Sequence, residues 1–261
     1  MVAVLYHKMA LPNACHLGKR VPKKLFYGNA QLNATDRRAF AENIDTIIWQ
    51  YTLKPSTIPI QPYEDGQREY VEIEVLQVNL RTVRSTKRIA EIIHRAIPYP
   101  LIIVFVYQTL SNEGLLAECL CSLSLAPKRL SQAEHGAIVV EEFLSTDWID
   151  LTSLSAVDAK FLDSLALTCL PYRHFYAFYA ALVDRVVALG CAKLTGRYCV
   201  ESAAEEGHAR KDRLAASHNL ELQINEHREA LAKETQFNRK VELNMKIKKL
   251  KQQLQKLLDT L

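Results

Sequence analysis

Three carboxylates occur close together in the first third of the chain. Asp65 lies in a turn-like segment, and Glu72 and Glu74 follow on a stretch whose apolar residues alternate. Metal-dependent nucleases gather carboxylates around Mg²⁺ to activate water. The lysine expected beside the second carboxylate is missing, because a valine, a leucine and Gln77 follow Glu74. A divergent nuclease centred on Asp65, Glu72 and Glu74 is therefore the alternative hypothesis, and a charged, solvent-facing strand edge is the simpler one.

Basic residues concentrate in clusters, although the formal net charge is only +4. The three clusters are Lys19, Arg20, Lys23 and Lys24; Arg81, Arg84, Lys87 and Arg88; and Arg239, Lys240, Lys246, Lys248, Lys249, Lys251 and Lys256. On one side of a fold, such clusters would bind phosphates without regard to sequence. The alternative is that each cluster is an ordinary solvated face. The candidate nucleic-acid-binding residues are Lys19, Arg20, Lys23, Lys24, Arg84, Lys87 and Arg88.

Motifs of common enzyme classes are missing from the sequence. It contains no GxxxxGK[ST], GxGxxG, GxSxG or HExxH pattern, and its six cysteines lack zinc-type spacing. We therefore predict no metal site and no cofactor, and we expect His174 to be a packed or capping histidine rather than a general base. We expect the cysteines to be free thiols, and we find no export signal. The apolar runs are shorter than the roughly 20 residues of a membrane span. Together these features predict a cytoplasmic protein.

Periodicity in the first two thirds of the chain predicts an α+β body. We expect a helix over 33–53, then a strand over 70–80, a helix over 85–96 and a strand over 101–107, which form a strand–helix–strand unit. Strands over 115–125 and 137–144 would complete a mixed sheet. The segment 155–189 predicts aromatic core helices broken at Pro171, with Gly190 as the C-cap.

The last part of the chain has dense charge and a heptad pattern. Apolar residues alternate steps of four and three, the a/d spacing of a coiled coil. The seam residues are Leu243, Ile247, Leu250, Leu254, Leu257 and Leu261. An earlier apolar seam is out of phase with this one, so either the stripe changes faces or the chain turns back near Phe237 and Val241. We predict that the heptad seam binds a partner protein or a second copy of the chain.

Several segments, in order along nearly the whole chain, resemble one protein family. They are residues 21–27, 44–49, 53–60, 97–100, 146–148 and 236–244. On these segments the chain resembles the bacterial domain-of-unknown-function family number 4391. The resemblance implies no chemistry, but it implies a setting beside helicases and DNA methyltransferases of type III restriction-like or phage-defence loci.

These patterns together predict an α+β fold: a mixed β-sheet with flanking helices, followed by a long C-terminal coiled-coil-like helix or a helical hairpin. The predicted domains are 1–202, the α+β body, and 203–261, the coiled-coil helical region. We expect a non-catalytic accessory protein of a restriction-modification or phage-defence system. It would bind a helicase, a methyltransferase or itself through the C-terminal helix, and DNA through the basic clusters.

Overall fold

A computed structural model of the chain describes residues 2–29, 32–110, 116–133, 137–200 and 204–258. The strands are β1 (His16–Val21), β2 (Ile44–Leu53), β3 (Tyr63–Glu64), β4 (Glu69–Tyr70), β5 (Ile73–Leu80), β6 (Leu101–Leu110), β7 (Leu116–Leu125), β8 (Lys128–Leu130), β9 (Ile138–Val140), β10 (Leu144–Ser145) and β11 (Ile149–Asp150). The α-helices are α1 (Val2–Met9), α2 (Lys24–Asn29), α3 (Ala34–Asn43), α4 (Thr86–Ala96), α5 (Ala156–Ser164), α6 (Phe175–Thr195), α7 (Ala204–Lys233) and α8 (Phe237–Leu258).

The main sheet is mixed, as predicted. Its order in the described part of the chain is β1-β2-β5-β6-β7-β10, and β11 also pairs with β7. β5 and β6 are parallel and α4 connects them, which confirms the strand–helix–strand unit. The other neighbours in this sheet are antiparallel. The strand expected over 137–144 is shorter than predicted, and it pairs with β8 in a separate hairpin.

The helix predicted over 33–53 is wrong in its second half. α3 ends at Asn43 and β2 begins at the next residue. β2 has two bulges, one directly after Ile44 and one directly after Trp49. In a regular strand, residues three positions apart point to opposite faces. The bulge inserts an extra residue between Ile44 and Ile47, so both are buried. The bulges therefore give this strand the apolar spacing of a helix.

Helices cover both faces of the sheet. One face packs on α2, α3 and α4, and buries Phe26, Phe40 and Ile93 with apolar residues of β2, β5 and β6. α1 lies on the other face, where the Tyr6 hydroxyl donates to Gln77 Oε1 at 3.0 Å, and α5 contacts α1. β1 is an edge strand in the described part of the chain, and α4 contacts both α2 and α3.

An ion pair between an exposed arginine and a buried carboxylate joins α3 to α4. Arg88 Nε and Nη2 each donate to one oxygen of the Asp36 carboxylate at 2.9 Å, and Nη1 donates to Glu91. Asp36 is buried, and these hydrogen bonds hold the pKa of its carboxyl below the ordinary value of 3.8. The two parallel bonds fix the orientation of α4 relative to α3.

α6 continues past the residue predicted to end it. Gly190 lies inside the helix, and a Cβ there would be 2.7 Å from Leu214 Cδ2. Gly190 therefore lies in close contact with a side chain of α7, while Gly196, with φ of +76°, follows the last helical residue. α6 is long and apolar enough to cross a membrane, but 67% of its most apolar window is buried in the protein, as in a core helix.

The C-terminal region contains two helices instead of one long coiled-coil helix. Residues 234–236 connect α7 to α8, and the two helices pack against each other, which makes a helical hairpin. The chain divides into two compact units, Met1–Val186 and Val187–Leu261, so the second unit begins inside α6. The predicted domains 1–202 and 203–261 stay a prediction.

Replacing Arg88 by alanine should destabilise the first unit by about 2 kcal/mol at neutral pH, because it leaves the Asp36 carboxylate buried and unpaired. The lowered pKa of Asp36 means that the pair stabilises the fold above pH 3.8 and that this stabilisation is lost as the pH falls. Urea unfolding at several pH values measures the effect. The control Arg38→Ala removes the exposed pair with Glu42 and should cost about 0.3 kcal/mol. Equal losses in the two variants would contradict this role of Arg88.

Candidate nucleic-acid interface

The end of α3 brings the first two basic clusters together. α3 passes into β2 without a loop, so its last carbonyl oxygens need donors from other segments. The Ala41 carbonyl oxygen accepts from Lys23 Nζ at 3.4 Å and from Arg81 Nη1 at 3.2 Å. Lys23 Nζ also donates to the Ile44 carbonyl oxygen. A lysine that follows β1 and an arginine that follows β5 therefore share one acceptor.

Further hydrogen bonds hold the segment after β5 against the end of α3. The Arg81 N–H donates to the Asn43 carbonyl at 2.8 Å, and Asn43 Nδ2 donates to the Arg84 carbonyl at 3.0 Å. The Arg81 guanidinium also pairs with the Asp45 carboxylate at 3.0 Å. These bonds fix the backbone of the second basic cluster relative to the first.

The pKa of Lys23 reflects this convergence. Burial lowers the pKa of its ammonium group, the nearby charges of Arg81 and Arg20 lower it further, and Asp45 opposes them. Arg20 lies on β1 and Arg81 follows β5, yet both of their charges act on the amino group of Lys23. Positive potential from the two clusters therefore accumulates at one place on the body.

Five other cations of these clusters point into solvent. Lys19 and Arg20 lie on β1, Lys24 begins α2, Arg84 precedes α4, and Lys87 lies in its first turn. All five are exposed, α2 packs against α4, and none of the five forms an ion pair with a described residue. We define the basic surface as Lys19, Arg20, Lys23, Lys24, Arg81, Arg84 and Lys87.

Arg88 and the third cluster differ from this surface. Arg88, one of the predicted nucleic-acid-binding residues, is engaged by Asp36 and Glu91 and so serves the fold. The third cluster lies on α8 in the second unit. The basic surface therefore contains six of the seven predicted residues, and it adds Arg81.

Asp65 belongs to the turn between β3 and β4. Its Oδ1 accepts from the backbone N–H groups of Gln67 at 2.7 Å and Arg68 at 2.6 Å, and its Oδ2 accepts from the Tyr63 hydroxyl at 2.6 Å. These bonds lower the pKa of the Asp65 carboxyl. The carboxylate closes a turn.

Glu74 is buried on β5, and it joins that strand to β2. Trp49 Nε1 donates to Glu74 Oε2 at 2.6 Å, and Thr52 Oγ1 donates to the same oxygen at 2.7 Å. Burial raises the pKa of the carboxyl to about 7, against the effect of these hydrogen bonds. Among the described residues no three His, Cys, Asp or Glu side chains gather as metal ligands, so Asp65, Glu72 and Glu74 form no metal cluster there.

A comparison with protein families finds one match over most of the chain. The profile of a family described as Domain of unknown function (DUF4391) matches residues 9–254. The chain belongs to the DUF4391 family. No curated protein and no solved structure matches it. The matched range of this DUF4391 protein includes the basic surface and almost all of the hairpin.

The predicted partner-binding residues of this DUF4391 protein lie on α8, except Leu261, which is outside the described residues. Ile247 is buried, and Leu243, Leu250, Leu254 and Leu257 are half-buried. α7 is the helix that packs against α8, and Ile224 of α7 is also buried. α7 therefore covers at least part of the heptad seam.

Sequence patterns missed an aromatic stack at the start of α6. The Tyr63 ring lies 4.5 Å from that of His174 and 5.0 Å from that of Tyr176, and the Arg68 guanidinium lies 5.2 Å from the centre of the Tyr176 ring. His174 Nδ1 accepts from the Ala177 N–H, so this histidine caps the helix, as predicted. No periodicity connects Tyr63 to this helix, because Tyr63 comes from a distant short hairpin.

A cavity of about 480 Å³ lies beside the end of α4, and it was also missed. Its lining includes His94, Arg95 and Phe143. The Ser124 hydroxyl donates to the Leu144 carbonyl at 3.0 Å, so it accepts from His94 Nε2–H at 3.2 Å. Burial lowers the pKa of His94 to about 3, which makes this histidine neutral. The sequence signal for this buried site is the position of His94 on the apolar stripe of α4.

Replacing Glu74 by glutamine tests the structural role of this carboxyl. Its pKa in the folded protein, about 7, lies above the ordinary 4.5, so its contribution to stability is full below pH 4.5 and is lost as the pH rises through 7. Glutamine keeps an acceptor for Trp49 and Thr52 without the charge. We expect a gain of about 2 kcal/mol at about pH 8 and little change at about pH 5, measured by urea unfolding.

Glu72→Gln is the matched control, because it removes a neighbouring charge from a half-exposed position. It should not reproduce the dependence on pH. A Glu74→Gln protein that is destabilised at both pH values would mean that the carboxylate is charged and needed as an anion, as in a metal site.

Proposed function

We propose that this DUF4391 protein is a non-catalytic accessory protein that binds nucleic acid through the basic surface. One observation carries the proposal: two basic clusters, 57 positions apart in sequence between Lys24 and Arg81, meet at the end of α3. Lys19, Arg20, Lys24, Arg84 and Lys87 remain free of ion pairs with described residues and point into solvent. Such a group of cations releases condensed counterions when it meets a phosphate backbone.

The composition of this surface favours contacts to phosphate over contacts to bases. Lysine and arginine supply the charge, and the body presents β1 as an exposed edge strand beside them. Phosphate contacts position a protein but carry no sequence information. Binding should therefore be strongly dependent on salt and nearly independent of sequence.

The remaining features fit an accessory role. Asp65 and Glu74, the strongest catalytic candidates, each have a structural task in the described fold. The helical hairpin is the element that would join the protein to a partner protein or to a second copy. In this proposal the protein is soluble and works in the cytoplasm, in a restriction-modification or phage-defence assembly, the setting that the family resemblance implies.

Fluorescence anisotropy with a short labelled DNA duplex tests the binding. If each of the five exposed cations neutralises one phosphate, the logarithm of the association constant should fall against the logarithm of salt concentration with a slope of about −4 to −5, between about 50 mM and about 200 mM salt. Lys24→Ala and Arg84→Ala should each reduce the slope by about 1 and weaken binding equally on any sequence. Lys23 is a poorer target, because its amino group supports α3.

Lys160→Ala is the matched control, since it removes an exposed lysine from α5, which carries none of the basic surface. It should leave both affinity and slope unchanged. No binding at the lowest salt concentration, or an equal effect of all three substitutions, would reject the basic surface as the interface.

A further inference from the structure

α8 presents a row of exposed apolar side chains. Phe237 is 78% exposed and Met245 is 67% exposed, and Val241 between them is also exposed. The spacing of four places the three residues on one face of the helix. Single exposed apolar residues are common on protein surfaces, whereas neighbouring exposed apolar residues on one helix face together offer an apolar contact surface. We define the exposed stripe as Phe237, Val241 and Met245.

The exposed stripe is separate from the heptad seam. Ile247, the buried residue of α8, follows Met245 by two positions, a rotation of about 200° around the helix. α7 packs against α8, and the residues at seam positions are buried or half-buried. The seam therefore supports the hairpin, and the exposed stripe lies on the opposite face of α8, where α7 does not cover it.

The charge of α8 indicates what would cover the stripe. Between Phe237 and Leu258 the sequence has seven lysines and arginines and a single acid, Glu242. Lys248 and Lys249 follow Met245 by three and four positions, so they border the stripe directly. A second copy of α8 would bring like charges together, which is unfavourable. A nucleic acid would match the charge but would leave the apolar side chains without an apolar partner.

We propose that the exposed stripe of α8 docks an acidic amphipathic helix of a partner protein. This inference deepens the proposed accessory role, because it identifies the face of the hairpin that meets the partner. Apolar residues of the partner helix would cover Phe237, Val241 and Met245. Its Glu and Asp side chains would pair with Lys248 and Lys249. The stripe covers about 12 Å along α8, which is long enough for two turns of a partner helix.

Two synthetic peptides provide the test. The first is a fluorescein-labelled helix with leucines along one face and glutamates on both flanks, and the second is an isomer of the same composition with its leucines spread around the helix. The full chain should bind the first peptide at least about tenfold more tightly than the isomer. The double variant Phe237→Asn, Met245→Gln should lose about tenfold in affinity for the first peptide while keeping its helical circular dichroism.

Leu222→Gln is the matched control, because Leu222 is a 63% exposed apolar residue of α7 two positions from the buried Ile224. It should bind like the wild type. The charge reversal Lys248→Glu, Lys249→Glu should weaken binding of the first peptide and favour a version with lysine in place of glutamate. This exchange distinguishes paired charges from loss of the helix.

Equal binding of the two peptides, or full affinity in the double variant, would overturn the proposal. Light scattering that shows a dimer of the full chain and a monomer of the double variant would overturn it in favour of a second copy. Loss of duplex DNA binding in the double variant would overturn it in favour of nucleic acid. The basic surface remains intact in these variants. If they still bind the DNA duplex but the peptide test fails, the docking proposal is wrong and the nucleic-acid proposal is unaffected.

Discussion

The carbonyl oxygens at the end of α3 need hydrogen-bond donors, and meeting that need decides where the basic surface forms. α3 runs directly into β2, so no loop supplies those donors. Lys23 and Arg81 provide them from two segments that are adjacent only because β1 and β5 pair with opposite edges of β2. The cations that follow in sequence, Lys24 and Arg84, are then held at the surface nearby. A structural requirement of one helix end thus assembles a candidate binding surface.

Basic residues of the same cluster consequently have different tasks. Lys23 and Arg81 donate to main-chain carbonyls, and Arg88 neutralises a buried carboxylate. Their neighbours are exposed and have no ion pair in the described part of the chain. A similar division holds on α8, where Ile247 supports the hairpin and Met245, two positions earlier, is open to solvent. Adjacent residues of like chemistry are therefore not interchangeable in this protein.

Local patterns predicted some of this fold and missed the rest for identifiable reasons. The strand–helix–strand unit was predictable, since β5, α4 and β6 each show their own period. β2 was mistaken for a helix because its bulges change the spacing of Ile44 and Ile47. The prediction that Gly190 ends a helix is wrong because the helix continues past it, and the side chain that it contacts, Leu214, lies elsewhere in the chain. The members of the basic surface were identified from composition, but their convergence depends on long-range strand pairing that no periodicity encodes.

Acetylation of exposed lysines, read by mass spectrometry with and without a DNA duplex, tests most directly whether the basic surface is the interface. Lys19, Lys24 and Lys87 should be protected when the duplex is bound. Lys160 on α5 and Lys248 and Lys249 on α8 should react as in the free protein. Protection confined to the α8 lysines, or spread evenly over all of these positions, would contradict a nucleic-acid interface at the end of α3.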